Sequence, residues 1–205
     1  MKIYLNKPDE GWIVDRFWEE WHENNQDIST KVINQADIIW IISPWTWKKI
    51  KKKSLSQKIV VCTIHHIDFK KFKGSEKRNF FKRDKYIDSY HAISNNTKQQ
   101  LETLTKKPVT TIPFWINDKL FFEINEKNLL REKYEIAENE FLIGSFQRDT
   151  EGVDLISPKL SKGPDQFIKM VQKYSKTNEN LAVVLTGKRR QYIINELKKL
   201  NIKYY

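Results

Sequence analysis

The chain has 205 residues, including seven Trp, eight Tyr and eleven Phe, enough apolar material for one large or two small packed domains. A formal charge of +11 points to an anionic partner: nucleotide, nucleic acid or membrane surface. The lone cysteine, Cys62, excludes an intramolecular disulfide and fits a reducing compartment, and the apolar runs at 36–42 and 59–64 fall far short of the ~18–20 residues of a membrane span.

Met1-Lys2 leads straight into a strand-like run with no signal-peptide pattern, so a cytoplasmic protein is expected. In chain order, apolar runs predict strands at 2–6, 37–42, 58–64, 89–94, 109–113, 141–146, 181–186 and 202–205. Between them, amphipathic patterns predict helices at 13–24, 45–53, 76–86, 96–105, 127–134, 164–174 and 189–200. Asn95 or Asn96 is the expected N-cap of the fourth helix. Strands flanked by helices on this rhythm mean βαβ units and largely parallel sheets, so the fold class is α/β. The segment 114–126 breaks the rhythm and reads as a linker between a first domain, 1–113, and a second, 127–205. With three strands and a sheet that ends on a bare apolar edge, the second domain reads as unfinished, and a chain truncated at its C-terminus is expected.

The segment 141–171 carries the most chemistry. An apolar strand delivers the chain into a loop holding Arg148, and Lys162-Gly163-Pro164 then opens an amphipathic helix. Free N–H groups at a helix start, its dipole and two nearby cations suit a phosphorylated ligand; a solvated loop is the alternative reading. Pro164 fits the first turn, where its missing N–H would be unpaired anyway. His65 and His66 close the third strand and make no metal site without further ligands. Trp45, Trp47, Lys48, Lys49, Lys51, Lys52 and Lys53 combine interfacial aromatics with dense positive charge, which suits an anionic membrane surface; an ordinary helix with its lysines outward explains the pattern as well.

The order of elements resembles a GT-B glycosyltransferase, most like the retaining enzymes of glycosyltransferase family 4. Thr111-Ile112-Pro113-Phe114-Trp115-Ile116-Asn117, followed by Leu120-Phe121-Phe122, resembles the family's interdomain passage. Leu130-Arg131-Glu132-Lys133-Tyr134 resembles the helix that leads into the donor domain. Ile143-Gly144, Arg148 and Lys162-Gly163 resemble the "G-R…K-G" pattern, and Val183-Val184-Leu185-Thr186-Gly187 the strand ending in glycine that follows. The resemblance implies two Rossmann-like domains, the second incomplete. It implies a nucleotide-diphosphate sugar as donor substrate, with no separate cofactor and no metal, and a glycan or lipid-linked acceptor. It implies that Arg148, Lys162, Gly163 and Gly187 hold the donor, that His65 or His66 faces the reacting sugar, and that Gly11 lies where the acceptor approaches backbone. The 149–161 insert between Arg148 and Lys162 is longer than usual for the family. Asp149-Thr150-Glu151 looks like the metal-binding D-x-D of GT-A enzymes, against which the family context argues. Glu132 and Glu140 have the spacing of the family's E-x7-E signature but precede the donor strand; the true pair is expected beyond Tyr205, so these residues alone are expected to be inactive.

Three rival readings remain. Net charge and interleaved aromatics motivate nucleic-acid binding, but no helix-turn-helix, zinc-finger or RNP pattern accompanies them, so no nucleic-acid partner is expected. A GT-B sugar-nucleotide epimerase would need a carboxylate pair that the sequence does not identify. A non-catalytic interaction module is the third.

Overall fold

A computed structural model describes residues 1–205, the side chain of Lys127 excepted. The chain divides into two compact units, Met1–Leu120 and Phe121–Tyr205. The first holds a five-stranded sheet of β1 (Ile3–Leu5), β2 (Ile38–Ile41), β3 (Ile59–Ile64), β4 (Ser89–Ala92) and β5 (Val109–Thr111), in that order and all parallel. Its helices are α1 (Ile13–Asn24), α2 (Lys52–Gln57), α3 (Gly74–Asp84) and α4 (Asn95–Glu102). The near-continuous β-branched run of β3 suits a strand buried on both faces of a parallel sheet. One face of the sheet sends Ile39, Ile41, Val60, Cys62, Ile64 and Tyr90 into a core closed by Leu55, Phe80 and Leu101. The other buries Leu5 and Ile42 against Val14 and Phe17 of α1.

The chain reverses its direction of travel across this sheet at β1. After α1 it lays a short extended segment beside β1, with Ile3 N–H bonded to Ile28 O at 2.7 Å and Thr30 N–H to Ile3 O at 2.9 Å. It then crosses to β2 on the other side of β1. That is a topological switch point, and it opens a crevice at the C-terminal ends of β1 and β2.

Two buried polar clusters tie the unit together. Glu20, 6% exposed on α1, accepts from Trp115 Nε1 at 2.6 Å and Asn117 Nδ2 at 2.7 Å, and lies 3.2 Å from Arg16 Nε. With Phe114 stacked on Phe17 at 4.3 Å, this carboxylate lays the chain after β5 along α1. The second cluster crosses the sheet: Trp40 Nε1 donates to Thr63 Oγ1, Thr63 Oγ1 meets His91 Nδ1, and His91 Nε2 meets Ile112 O. One arrangement satisfies every group: a neutral His91 that donates from Nε2 and accepts from Thr63 at Nδ1.

The second unit has β6 (Phe141–Ser145), β7 (Leu181–Leu185) and β8 (Lys203–Tyr204), parallel and in that order, with α5 (Lys127–Lys133), α6 (Pro164–Ser175) and α7 (Gln191–Lys199). Two crossovers in the same direction put α6 and α7 on one face, where Ile168, Val171, Ile193 and Leu197 pack over Leu181 and Val183.

Two local expectations are corrected. The helix expected at 45–53 is a 3-10 turn, Pro44–Lys49, followed by the separate α2. A three-residue period puts Trp47 and Ile50 on the same buried side. Trp47 is therefore a core residue, 6% exposed, and is withdrawn from the membrane-facing set; Trp45, 50% exposed, remains, with all five lysines exposed. The N-cap of α4 is Ser94, whose Oγ accepts from Thr97 N at 3.2 Å, while Asn95 and Asn96 lie inside the helix.

Burial lowers the His91 pKa below its ordinary 6.5, opposed by the bond to Ile112 O. A histidine with a depressed folded pKa adds stability that is present above the unfolded pKa and declines as pH falls toward the folded value. Urea unfolding of the protein should lose stability on acidification below pH 6.5, and His91→Gln should flatten that slope.

Candidate functional site

In the second unit, the C-terminal edge of the sheet gathers the residues named from the sequence. Ser145 ends β6, and the loop that follows carries Gln147 and Arg148. Gln147 Nε2 donates to Lys162 O at 2.6 Å, which fastens this loop to the start of α6. Arg148 and Lys162 are both exposed, and neither forms an ion pair among the described residues. Gly163 caps α6 at φ 65°, a left-handed conformation that favours glycine, and Pro164 follows at the first helical position. The N–H groups of Asp165 and Gln166 have no partner in the turn before them. Asp165, in that same turn, is the opposing charge an anion would meet. Gly187, also left-handed at φ 81°, follows β7 on this edge.

The long insert after Arg148 packs at the start of α7. Asp149 N–H donates to Arg189 O at 3.0 Å, Lys159 N–H to Asp149 O at 2.7 Å, and Arg189 Nη2 to Gly152 O at 2.8 Å. The Asp149 carboxylate, 1% exposed, accepts the N–H groups of Tyr192 and Ile193 and so caps α7 from a distant part of the chain. Its neighbour is Arg190, 6% exposed, whose Nη2 donates to Ser145 O at 3.0 Å and Ser145 Oγ at 2.6 Å. Burial raises the Asp149 pKa even against those donors and the Arg190 charge, and burial lowers that of Arg190. Arg190 was not singled out from the sequence. In Lys188-Arg189-Arg190 it looks like one more surface cation, and nothing in the pattern says which of the three turns inward.

In the first unit, the crevice between β1 and β2 is closed by side chains from both lips. Asn6 Oδ1 accepts from Ile42 N at 3.0 Å and Asn6 Nδ2 donates to Thr46 Oγ1 at 2.5 Å. Above it, Trp45 Nε1 bonds Glu10 and Lys49 Nζ bonds Pro8 O. Gly11, at φ 62°, sits in this loop, but its backbone donor is taken. The N–H groups of Asp9, Glu10, Gly11 and Trp12 all point at the Asp15 carboxylate, at 2.8, 2.8, 2.6 and 3.3 Å. Those four bonds outweigh desolvation and lower the Asp15 pKa.

His65 and His66 part company. Nε2 of His65 meets Ile42 O at 2.8 Å, and its ring lies 6.0 Å from Trp45 and 5.4 Å from Phe114. Burial depresses its pKa, with the Ile42 bond and Glu10 opposing and His66 and His91 adding to the fall. A neutral ring donating from Nε2 leaves Nδ1 as an acceptor for a hydroxyl group. His66 is exposed and lines a separate cavity against α3. Glu10, exposed beside Trp45 at the same edge, is a further carboxylate that motif reading passed over, because no spacing ties it to His65.

The chain superposes over its whole length (100%) on the crystal structure of Anabaena HepE in complex with UDP, with a TM-score of 0.63 and 12% sequence identity, covering 68% of HepE. The fold is GT-B. A second HepE structure, in complex with UDP and glucose, matches 98% of this chain and 68% of its own at a TM-score of 0.62 and 10% identity. TarM matches 82% of this chain and 32% of its own, at 0.52 and 11%. No protein-family model and no curated protein matches the sequence. Within this GT-B fold, Arg148, Lys162, Gly163 and Gly187 lie at one sheet edge, and Gly11 and His65 at another in the first unit. Among the described residues no group of three or more His, Cys, Asp or Glu is placed to hold a metal ion, and no helix is long and apolar enough to cross a membrane.

The Asp149 assignment is open to a direct check. Asp149→Ala strands two helix N–H groups and a buried guanidinium, and should destabilise the second unit by about 2–4 kcal/mol in urea unfolding.

Proposed function

We propose that the protein transfers a sugar from a nucleotide-diphosphate donor to the hydroxyl of a glycan or lipid-linked acceptor, as a retaining, metal-independent enzyme of the glycosyltransferase family 4 kind. The observation that carries this reading is the Gln147–Lys162 bond, which joins the Arg148 loop to the start of α6 on the C-terminal edge of a parallel sheet. It brings two exposed basic residues and a helix start together in one place. When the glycosyl–phosphate bond breaks, negative charge grows on the departing diphosphate, and fixed cations and helix N–H groups lower that barrier. Arg148 and Lys162 take that role, while Gly163 and Gly187 let the backbone approach the phosphates. HepE, whose fold this chain shares, was crystallised with UDP, which supports the choice of ligand class. On the acceptor side, neutral His65 offers Nδ1 to a sugar hydroxyl, beside Glu10 and Trp45.

Titration calorimetry with UDP tests the donor site. Lys162→Ala should weaken binding about tenfold to a hundredfold, the value of one charge-assisted hydrogen bond; equal binding by variant and wild type would sink the assignment.

The exposed lysines 48, 49, 51, 52 and 53, with Trp45 beside them, also favour docking at the inner face of an anionic membrane, where a lipid-linked acceptor would be met. Co-sedimentation with phosphatidylglycerol vesicles at low salt should pellet the protein and release it at high salt. If it stays in the supernatant at both, the membrane reading fails.

A further inference from the structure

Helix α3 carries Glu76, Asn79 and Arg83 at spacings of three and four residues, so they share one face. That face walls a cavity of about 300 Å³, with Trp45, Trp47 and His66 on its other sides. A volume of this order is the lower end of small-molecule sites.

The cavity contains an unbalanced charge. Arg83 is 7% exposed, and its guanidinium lies 5.3 Å from the Phe80 ring centroid. Nη1 donates to Pro44 O at 3.1 Å, while Nε is buried with no hydrogen-bond partner. Among the described residues no carboxylate forms an ion pair with it. The adjacent Asp84 is engaged elsewhere, accepting from Tyr90 Oη and Thr105 Oγ1, both at 2.9 Å. Glu76 lines the cavity but is exposed. The Arg83 field reaches the core: burial pushes the Cys62 thiol up to about 11, and Arg83 pulls the other way. A buried guanidinium without a counter-charge is costly, and the cavity it lines gives an anion a place to meet it.

We propose that this cavity binds a sugar carrying an anionic group, phosphate or carboxylate, with Arg83 as the counter-charge and the indoles of Trp45 and Trp47 against the sugar. Lys48 adds a second cation at the wall, and Asn79 offers both a donor and an acceptor to the hydroxyl groups. On the glycosyl-transfer reading, on which this part rests, that sugar is the acceptor. His66 then belongs to acceptor binding, one residue along the chain from His65.

The test follows the guanidinium directly, by the Nε–H signal of Arg83 in nitrogen-15 NMR spectra, assigned with Arg83→Met. Glucose 6-phosphate at millimolar concentration should shift that signal saturably, and neutral glucose should not. Arg83→Met should weaken glucose 6-phosphate binding about tenfold, one charge-assisted bond, and leave UDP binding as in the wild type. Methionine has a similar length, and removing an unpaired buried charge should leave the variant folded. An Arg83 signal unmoved by glucose 6-phosphate in a protein that binds UDP overturns this site alone. Failure to bind UDP counts against glycosyl transfer, and is read separately from the Arg83 shift. If Arg83→Met abolishes pelleting with phosphatidylglycerol vesicles while glucose 6-phosphate moves nothing, the anion is a lipid headgroup and the sugar assignment falls.

Discussion

Parallel pairing is the constraint on which the rest of this structure depends. When every strand of a sheet runs the same way, every C-terminal end opens on the same edge, and the loops that leave those ends are neighbours whatever their distance in sequence. In the first unit this puts the loop of Glu10 and Gly11, the turn of Trp45 and the histidine pair at one edge. In the second it puts the Arg148 loop, the start of α6 and Gly187 at another. A site assembled in this way needs no sequence motif longer than a few residues. That is consistent with a fold match that holds at 12% identity.

Carboxylates join packing in holding the connecting segments of both units. Asp15 gathers four successive N–H groups, Glu20 gathers an indole and an amide, and Asp149 gathers two N–H groups at the head of α7. Each replaces water as the partner of donors that a loop or helix end would otherwise leave open. The physical consequence is division of labour. Acidic residues are consumed in shaping the edges, and the exposed cations are left to face solvent or a ligand. Asp149 illustrates it: the acidic residue most like a metal ligand in the sequence is 1% exposed and bonded to backbone.

Arg83 and Arg190 show how burial changes the meaning of a basic residue. Arg190 sits beside Asp149 and bonds Ser145, so it is part of the scaffold that shapes the end of β6. Arg83 has a carbonyl and an aromatic ring but, among the described residues, no ion-paired carboxylate. In a chain with 37 Lys and Arg, neither stands out by composition, and only their surroundings separate a cation paired within the scaffold from one that is not.

The strand and helix order, the parallel sheets and the start of α6 were legible because they rest on local sequence signals. β-Branched runs such as that of β3 and the apolar stripe of α1 announce themselves over a few residues, and Lys162-Gly163-Pro164 marks the start of α6 to the residue. The helix expected at 45–53 failed because a 3-10 turn and an α-helix share an i, i+3 neighbour, so the buried pair Trp47 and Ile50 fits either. The cap of α4 was misplaced by one residue because Ser94, Asn95 and Asn96 are all good caps, and only the chain's entry angle chooses among them. What the tertiary structure alone decided is which polar groups are spent on one another. The Asp15 loop, the His91 relay, the Asp149 cap and the unmatched Arg83 join residues up to 44 positions apart in the bonds named. Sequence determines which groups can donate or accept; only the packing of distant strands and helices determines which of them meet.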